Sequence, residues 1–164
     1  MRVHVGSDHA GYEAKNELVD TLRSDGHDVV DHGPFGYDAD DDYPPFILRA
    51  ATADAADPDS RGVVLGGSGN GEQIAANKVT GIRCALAWSE ETARLAREHN
   101  DARVVSIGAR LHPIGDVFGF VRTFLETPFS DGDRHRRRIA QIRGYEETGE
   151  LPPLESRSDE RTGG

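Results

Sequence analysis

A glycine-rich segment followed by a carboxylate is the most informative feature of this 164-residue sequence. Four glycines fall within residues 66–71, and Glu72 follows them directly. Glycines at this density let the backbone approach a ligand and turn several N–H groups toward it, which suits a developing oxyanion. A base beside such a site is what proton abstraction next to a carbonyl requires. The plainer interpretation is a flexible turn with a glutamate that stabilises a helix N-terminus.

The segment does not match the two common glycine motifs that bind phosphates. A G-x-G-x-x-G motif starting at Gly67 needs glycine at position 72, where the chain has Glu72. A P-loop needs Gly-Lys-Ser/Thr after the glycines, and no such tripeptide follows. The segment therefore predicts neither a dinucleotide site nor a P-loop nucleotide site.

Two other polar pairs have side chains suited to acid–base chemistry or ligand binding. Asp8-His9 follows the first strand-like run and could hold a sugar hydroxyl or a phosphate, although a capping Asp beside a surface His is the commoner arrangement. His99-Asn100 ends a predicted helix, where a histidine also stabilises the helix dipole. This position lies at the amino edge of a parallel sheet, away from the ligand crevice. If His99 is catalytic, a symmetric partner must supply it, which predicts a homodimer with shared sites.

A cluster of arginines near the C-terminus contrasts with the net charge of -10. Residues 134–143 include five arginines and no acidic residue, and Arg134 and Arg138 are spaced to share one helix face. Planar guanidinium groups grip a phosphate dianion well, although a solvated basic face is the commoner reason for such a run. The acidic run over residues 38–42 lacks the spacing of an EF-hand and is interpreted as a loop.

These residues are positioned by elements that alternate between strand and helix. Strand-like runs occupy residues 3–5, 28–31, 62–65, 83–88 and 103–107. Helical patterns occupy residues 14–22, 46–56, 72–78, the stretch after Ser89, 114–126 and 131–147. The alternation predicts right-handed crossovers, and hence an α/β fold with a five-stranded parallel sheet covered by helices on both faces. Ligands of such sheets bind beyond the carboxyl ends of the strands, where Asp8, the glycines and Arg110 fall.

Length and composition narrow the class of protein. The length predicts one domain over residues 1–148, followed by a polar, disordered tail over residues 149–164. The excess of 29 acidic over 19 basic residues disfavours nucleic acid and anionic membranes as partners. Neither a transmembrane run nor a signal peptide is recognisable, which predicts a cytoplasmic protein. The single cysteine, Cys84, excludes an internal disulfide and a multi-cysteine metal site and is expected in the core.

Several motifs, in order along the chain, resemble one known family. They are Gly6-Ser7-Asp8-His9-Ala10-Gly11, Asp42-Tyr43-Pro44, Gly67-Ser68-Gly69-Asn70-Gly71-Glu72, Arg97-Glu98-His99-Asn100 and Arg134-His135-Arg136-Arg137-Arg138. Together they resemble the type B ribose-5-phosphate isomerases, whose wider family includes galactose-6-phosphate isomerase subunits. The resemblance implies a Rossmann-like three-layer αβα sandwich and a homodimer or dimer of dimers. It also implies interconversion of D-ribose 5-phosphate and D-ribulose 5-phosphate without a metal or cofactor.

The resemblance further implies a role for each site residue. Much of the family has a cysteine base at the position of Gly66, whereas a second branch is similar to this chain in having its base at the position of Glu72. His99, with help from Asp8, is expected to open the furanose ring, and Ser68 is expected in the anion hole. The residues expected to bind substrate are Asp8, His9, Tyr43, Gly67, Ser68, Gly69, Asn70, Gly71, Asn100, Arg110, Arg134 and Arg138. The three arginines are expected on the phosphate.

Two other functions stay open on the sequence. A six-carbon isomerase acting on allose-6-phosphate or galactose-6-phosphate would use the same groups. The galactose enzymes pair different subunits, whereas this chain carries its acid, base and anion site together, which favours a homodimer. A non-catalytic sugar-phosphate binding module would need no base, and the presence of both Glu72 and His99 argues against it.

Overall fold

Within residues 1–154, which the computed structural model describes, five parallel strands alternate with helices. The strands are β1 (Arg2–Ser7), β2 (Asp28–Asp31), β3 (Arg61–Gly66), β4 (Cys84–Ala87) and β5 (Val104–Gly108). Their order across the sheet is β2-β1-β3-β5-β4, and every neighbouring pair is parallel. The predicted five-stranded parallel sheet is therefore confirmed.

The helices connect these strands and extend beyond the last one. They are α1 (Tyr12–Ser24), α2 (Pro44–Ala56), α3 (Asn70–Ala76), α4 (Glu90–Asn100), α5 (Ile114–Glu126) and α6 (Asp133–Thr148), and a short 3-10 turn, His9–Gly11, precedes α1. Helix α2 begins earlier than predicted because Pro44 suits the first helical turn, where a missing N–H costs nothing. Helix α4 begins after Ser89, whose hydroxyl oxygen accepts the Thr92 N–H. The Thr92 hydroxyl oxygen in turn accepts the Ser89 N–H, so the two residues form a capping box.

Helix α3 is displaced relative to the prediction for residues 72–78. It begins at Asn70 and ends before Asn77, whose side chain bonds to the edge strand β4 instead. The Asn77 Oδ1 accepts the Cys84 N–H at 2.9 Å, and its Nδ2 donates to the Cys84 carbonyl at 2.9 Å. The amide thus takes the place of a neighbouring strand at Cys84 and ties the end of α3 to the sheet.

Two apolar clusters cover opposite faces of the sheet, because alternate strand residues point to opposite sides. One face, with Val5, Leu65 and Ile107, packs against α1, α4 and α5. The other face, with Val64 and Cys84, packs against α2 and α3. The three-layer αβα sandwich is therefore confirmed. Cys84 lies in the core as predicted, and burial raises the pKa of its thiol, which makes it a poor nucleophile.

Helix α6 differs from the other helices because none of its residues is buried. Its apolar side chains Ile142 and Tyr145 are 58% and 52% exposed. Ile139, Ile142 and Tyr145 line one wall of an open groove of about 800 Å³ against β4. The Glu146 carboxylate accepts the Gly81 N–H and so links α6 to the loop between α3 and β4. The apolar face of α6 is therefore left open to solvent.

The C-terminal residues follow α6 without further regular structure up to residue 154. Gly149 ends the helix with a φ of 73°. Of the predicted disordered tail over residues 149–164, residues 155–164 lie outside the described residues. No helix in the described part of the chain is long and apolar enough to span a membrane.

Candidate active site

The glycine-rich segment forms the loop between β3 and α3, at the carboxyl edge of the sheet. The Ser106 hydroxyl of β5 donates to the Gly69 carbonyl at 2.7 Å. Gly69 has a φ of 81°, and a Cβ there would fall 2.7 Å from Leu86, so the turn requires glycine. The N–H groups of Gly67, Ser68 and Gly69 have no acceptor within residues 1–154. The loop therefore offers free donors to an anion in the crevice.

Glu72 lies in the first turn of α3, directly behind this loop, and is 4% exposed. A Cβ at residue 66 would overlap the carboxylate of Glu72, so the carboxylate packs against the bare Cα of Gly66. Burial raises the pKa of Glu72, and the negative charge of Asp8 adds to this, against a lowering by the backbone N–H of Glu72 itself. A carboxylate whose pKa is raised in this way is a stronger base.

Asp8 follows the last residue of β1 and is buried. Its Oδ1 accepts the N–H groups of Ala10 at 2.9 Å and Gly11 at 3.2 Å and so caps the 3-10 turn. The other oxygen, Oδ2, makes no hydrogen bond within residues 1–154 and lies 3.9 Å from the Nδ1 of His9. Asp8 therefore caps the 3-10 turn with one carboxylate oxygen and leaves the other available to a ligand.

His9 and Arg110 provide positive charge in the crevice. Both line a cavity of about 420 Å³. The side chain of Arg110 lies over the glycine loop, where a Cβ at Gly67 would be 3.8 Å from its Cδ, and its backbone N–H donates to the Gly67 carbonyl at 3.2 Å. A guanidinium and an imidazole beside free backbone donors suit a phosphate group.

Tyr43 and Asn70 complete the loop's surroundings. A Cβ at Gly71 would fall 2.8 Å from the Tyr43 ring, so the ring packs on the loop. The exposed Ser68 accepts the backbone and side-chain N–H groups of Asn70, each at 3.3 Å. The predicted site residues that this edge of the sheet brings together are Asp8, His9, Tyr43, Gly67, Ser68, Gly69, Asn70, Gly71, Glu72 and Arg110.

Four other predicted site residues lie elsewhere, namely His99, Asn100, Arg134 and Arg138. His99 and Asn100 end α4 and precede β5, so they lie at the amino edge of the sheet. Arg83, just before β4, donates to the Asn100 carbonyl at 2.8 Å and marks the same edge. One subunit therefore does not bring His99 to the crevice that holds Glu72, in agreement with the topology predicted from the sequence.

Arg134 and Arg138, which the sequence predicts to bind the phosphate, lie on α6 in the same group of side chains as His99. The rings of His99 and His135 lie with their centroids 4.3 Å apart. Burial lowers the pKa of His135, and the charges of His99, Arg138 and Arg134 lower it further. Within residues 1–154 neither Arg134 nor Arg138 makes a salt bridge, whereas the neighbouring Arg136 binds Asp131. The second group of site residues therefore carries two unpaired cations and a histidine.

Asp41 contacts the candidate site through His9, although the sequence did not single it out. Its Oδ1 accepts both the backbone N–H of His9 at 3.0 Å and the Nδ1–H of His9 at 2.7 Å. Within a run of aspartates it resembles any solvated loop acid, and no spacing rule links it to a histidine 32 residues away. Only the folded loop brings the two side chains together.

Asp8, His9 and Asp41 are also the residues best placed to hold a metal ion among those described. Each offers one ligand atom, and these atoms lie within 4.8 Å of one another. The His9 Nδ1 and Asp41 Oδ1 already satisfy each other by a hydrogen bond of 2.7 Å. The closeness of these two residues therefore has an explanation in the protein's own hydrogen bonding.

Comparison with known proteins gives the context for this geometry. Residues 3–142 match the family described as Ribose/Galactose Isomerase. The chain belongs to this family. It is 57% identical to ribose-5-phosphate isomerase B of Mycolicibacterium paratuberculosis, over 94% of this chain and 97% of that protein. It is 56% identical to ribose-5-phosphate isomerase B of Mycobacterium tuberculosis, over 94% and 95% of the two chains.

Solved structures place the fold in the same family. The structure of ribose-5-phosphate isomerase B from Mycoplasma genitalium, with bound ribulose-5-phosphate, has a TM-score of 0.86 and 38% identity to this chain. The match covers 90% of this chain and 97% of that one. The Rossmann-like architecture implied by the sequence is therefore confirmed as the architecture of the ribose/galactose isomerase family.

Proposed function

We propose that this protein is an aldose–ketose isomerase that interconverts D-ribose 5-phosphate and D-ribulose 5-phosphate. The observation that carries the proposal is a buried Glu72 carboxylate with a raised pKa directly behind a loop of free N–H donors. Relatives at 55% and 57% identity named ribose-5-phosphate isomerase B support it, as does the neighbour that binds ribulose-5-phosphate.

Glu72 is the base that moves the proton between the two carbons. In the open-chain aldose it takes the proton from C2, and the electron pair passes to the carbonyl oxygen O1 to form a cis-enediolate. A proton moves from O2 to O1, and Glu72 returns its own proton to C1, which leaves the ketone at C2. The free N–H groups of Gly67, Ser68 and Gly69 hold the negative oxygen, and each such donor contributes roughly 3–4 kcal/mol.

The choice of glutamate over cysteine as base follows from the packing at Gly66. A cysteine at this position would place its Cβ where the Glu72 carboxylate lies. A cysteine there would therefore displace the Glu72 carboxylate from its present position, and the buried glutamate supports membership of the branch that uses Glu. Cys84 takes no part because it lies in the core on the far side of α3 from solvent.

A second copy of the chain completes the site. His99 and Asn100 lie at the amino edge, and the apolar face of α6 beside them is uncovered, so two copies can pair these faces with each other's crevices. His99 of the partner subunit, with Asp8, then moves the proton between the anomeric hydroxyl and the ring oxygen to open the furanose. Asn100 of the partner subunit and Tyr43 contact the sugar.

The phosphate lies at the other end of the substrate from the reacting carbons. Arg110 and His9 bind it from one subunit, together with Arg134 and Arg138 of the partner subunit. Arg134 and Arg138 form no salt bridge with an acidic residue in the described chain, so they are free to bind this anion. Binding energy from the phosphate then orients C1 and C2 beside Glu72.

An isomerase assay tests the proposal. The native protein is expected to convert ribose 5-phosphate, with a lower kcat/KM on allose 6-phosphate and galactose 6-phosphate, and to keep its activity in the presence of a chelator. Glu72→Gln is expected to lower kcat about a thousandfold with little change in substrate affinity. Glu126→Gln, the same change at an exposed residue at the end of α5, is the matched control and should leave kcat unchanged.

Three results would contradict parts of the proposal. Near-normal turnover by Glu72→Gln would remove the assignment of the base. A folded native protein that binds ribose 5-phosphate without converting it would indicate a binding module. A higher kcat/KM on allose 6-phosphate or galactose 6-phosphate than on ribose 5-phosphate would indicate a six-carbon isomerase.

A further inference from the structure

Asp41 is held in an arrangement that the reaction described so far does not explain. Its side chain is 9% exposed. One oxygen, Oδ1, accepts both the backbone N–H and the Nδ1–H of His9, and the other, Oδ2, is buried without a partner in residues 1–154. A buried carboxylate with so few donors is costly unless the group it bonds carries a positive charge. Asp41 is therefore stabilised by His9 in its imidazolium form.

The bond to Asp41 decides which nitrogen of His9 faces a ligand. Because Nδ1–H donates to Asp41 at 2.7 Å, Nε2 is the nitrogen left over, and it makes no hydrogen bond within residues 1–154. The same Asp41 oxygen also holds the backbone of His9, so the ring and the main chain are fixed together. His9 shares its cavity of about 420 Å³ with Arg110.

The charges around His9 favour the protonated ring. The hydrogen bond that His9 donates to Asp41 is the largest influence and raises the pKa of His9, and the charge of Asp8 raises it further. Partial burial and the charge of Arg110 oppose this. Glu13 and Glu17 of α1 line the same cavity and add negative charge around it.

We propose that Asp41 is a positioning residue for phosphate binding, which acts by holding His9 as an imidazolium with Nε2–H directed to the phosphate of the sugar. This inference rests on the proposed function, since it takes the ligand to be a sugar phosphate. A charged, correctly oriented donor beside Arg110 binds a dianion more strongly than a neutral imidazole that is free to rotate. Asp41 itself does not touch the substrate.

Asp41→Asn is the informative variant because it keeps an acceptor oxygen of the same size and removes the charge. It is expected to raise KM for ribose 5-phosphate about tenfold, with kcat changed by less than about threefold. The rise of KM with pH is expected to move to lower pH, because His9 then loses its proton earlier. Asp40→Asn makes the same change at an exposed neighbour that does not contact His9, and it should leave KM unchanged.

A double variant separates positioning from a general structural effect. If Asp41 acts through His9, Asp41→Asn adds nothing to the KM of a His9→Gln protein. If the two changes instead raise KM independently, so that their effects multiply, the inference is wrong. If Asp41 only stabilised the loop, Asp41→Asn would lower Tm and leave the pH profile of KM unchanged.

A measurement without turnover keeps this inference distinct from the proposed function. Nitrogen-15 NMR of the His9 ring, with inorganic phosphate as the probe, reports the protonation of Nδ1 and Nε2 directly. In the native protein we expect a titration midpoint above that of Asp41→Asn and tighter phosphate binding. Equal midpoints and equal phosphate affinities would overturn the inference. The same shift in a protein without isomerase activity would instead refute the proposed function and leave the role of Asp41 intact.

Discussion

The Glu72 carboxylate fills the space in which a side chain at Gly66 would begin. The contact joins the last residue of β3 to the first turn of α3 across the glycine loop. It makes the two positions interdependent, because any Cβ at residue 66 must displace the carboxylate or the helix that carries it. The identity of residue 66 therefore controls where the Glu72 carboxylate lies.

Gly66→Ala is expected to lower kcat about a hundredfold, since a displacement of roughly 1 Å at a catalytic group has an effect of this size. The substituted methyl group has no room beside Glu72 in the present structure. Steady-state kinetics on ribose 5-phosphate provide the measurement. Gly115→Ala is the control because a Cβ there meets nothing within 4 Å. Normal kcat in Gly66→Ala would show that Glu72 can move without loss and is not the base.

Subunit mixing tests the sharing of the site between two copies. Glu72→Gln and His99→Asn homodimers are each expected to be inactive. Exchange of their subunits should restore about one quarter of the native activity, since half of the dimers are mixed and each mixed dimer has one intact site. If both residues act within one subunit, every mixed dimer stays inactive, so no recovery after verified exchange would rule out the shared site.

The uncovered face of α6 gives a second test of the pairing. Ile142→Glu places a charge at the centre of this apolar face and is expected to yield a monomer with little isomerase activity. Gln141→Glu introduces the same carboxylate on the same helix away from the face, and should stay dimeric and active. Sedimentation velocity and the isomerase assay on the same samples compare the two variants. A dimeric, active Ile142→Glu protein would contradict the proposed interface.

The partly buried pair of His4 and His32 predicts one contribution to the pH dependence of stability. His4 Nδ1 and His32 Nε2 share a hydrogen bond of 3.0 Å, and burial lowers the pKa of both rings. Because the unfolded rings bind protons more readily, the contribution of this pair to the free energy of unfolding is fully present above pH ~6.5 and is lost as the pH drops through that value toward the folded pKa values.

Urea unfolding at pH 7.5 and pH 5 measures this loss. His32→Asn removes one titrating ring and the repulsion between two charged rings, so its stability should fall less steeply with acid than that of the native protein. A slope equal to the native one would show that the pair does not control acid stability.

The sequence predicted the fold well because the relevant signals are local. Short apolar runs such as residues 62–65 indicate strands buried on both faces, and Ser89 marks a helix start by its own side chain. The edge of the sheet to which His99 belongs also follows from chain order alone. The boundaries of α3 did not follow, because Asn77 leaves the helix to bond with Cys84, a tertiary contact with no local signal.

The candidate site was predictable where its residues lie in motifs and hidden where they meet through space. The glycine loop and Glu72 are adjacent in the chain, so their chemistry can be proposed from spacing. Asp41 is one of several aspartates in a loop, and only the fold selects it as the partner of His9. The position of the Glu72 carboxylate likewise depends on the absence of a side chain at Gly66. The spacing of residues along the chain does not show which atoms occupy the same volume in the fold.

The amide of Asn77 also limits how this protein can associate. Strand β4 forms one border of the sheet and is four residues long, and the outward N–H and C=O of its first residue are both taken by Asn77. Unpaired backbone along a border strand is what allows sheets to join into aggregates. Because the N–H and C=O of Cys84 are already paired with Asn77, a second chain cannot extend the sheet by backbone hydrogen bonds at this residue.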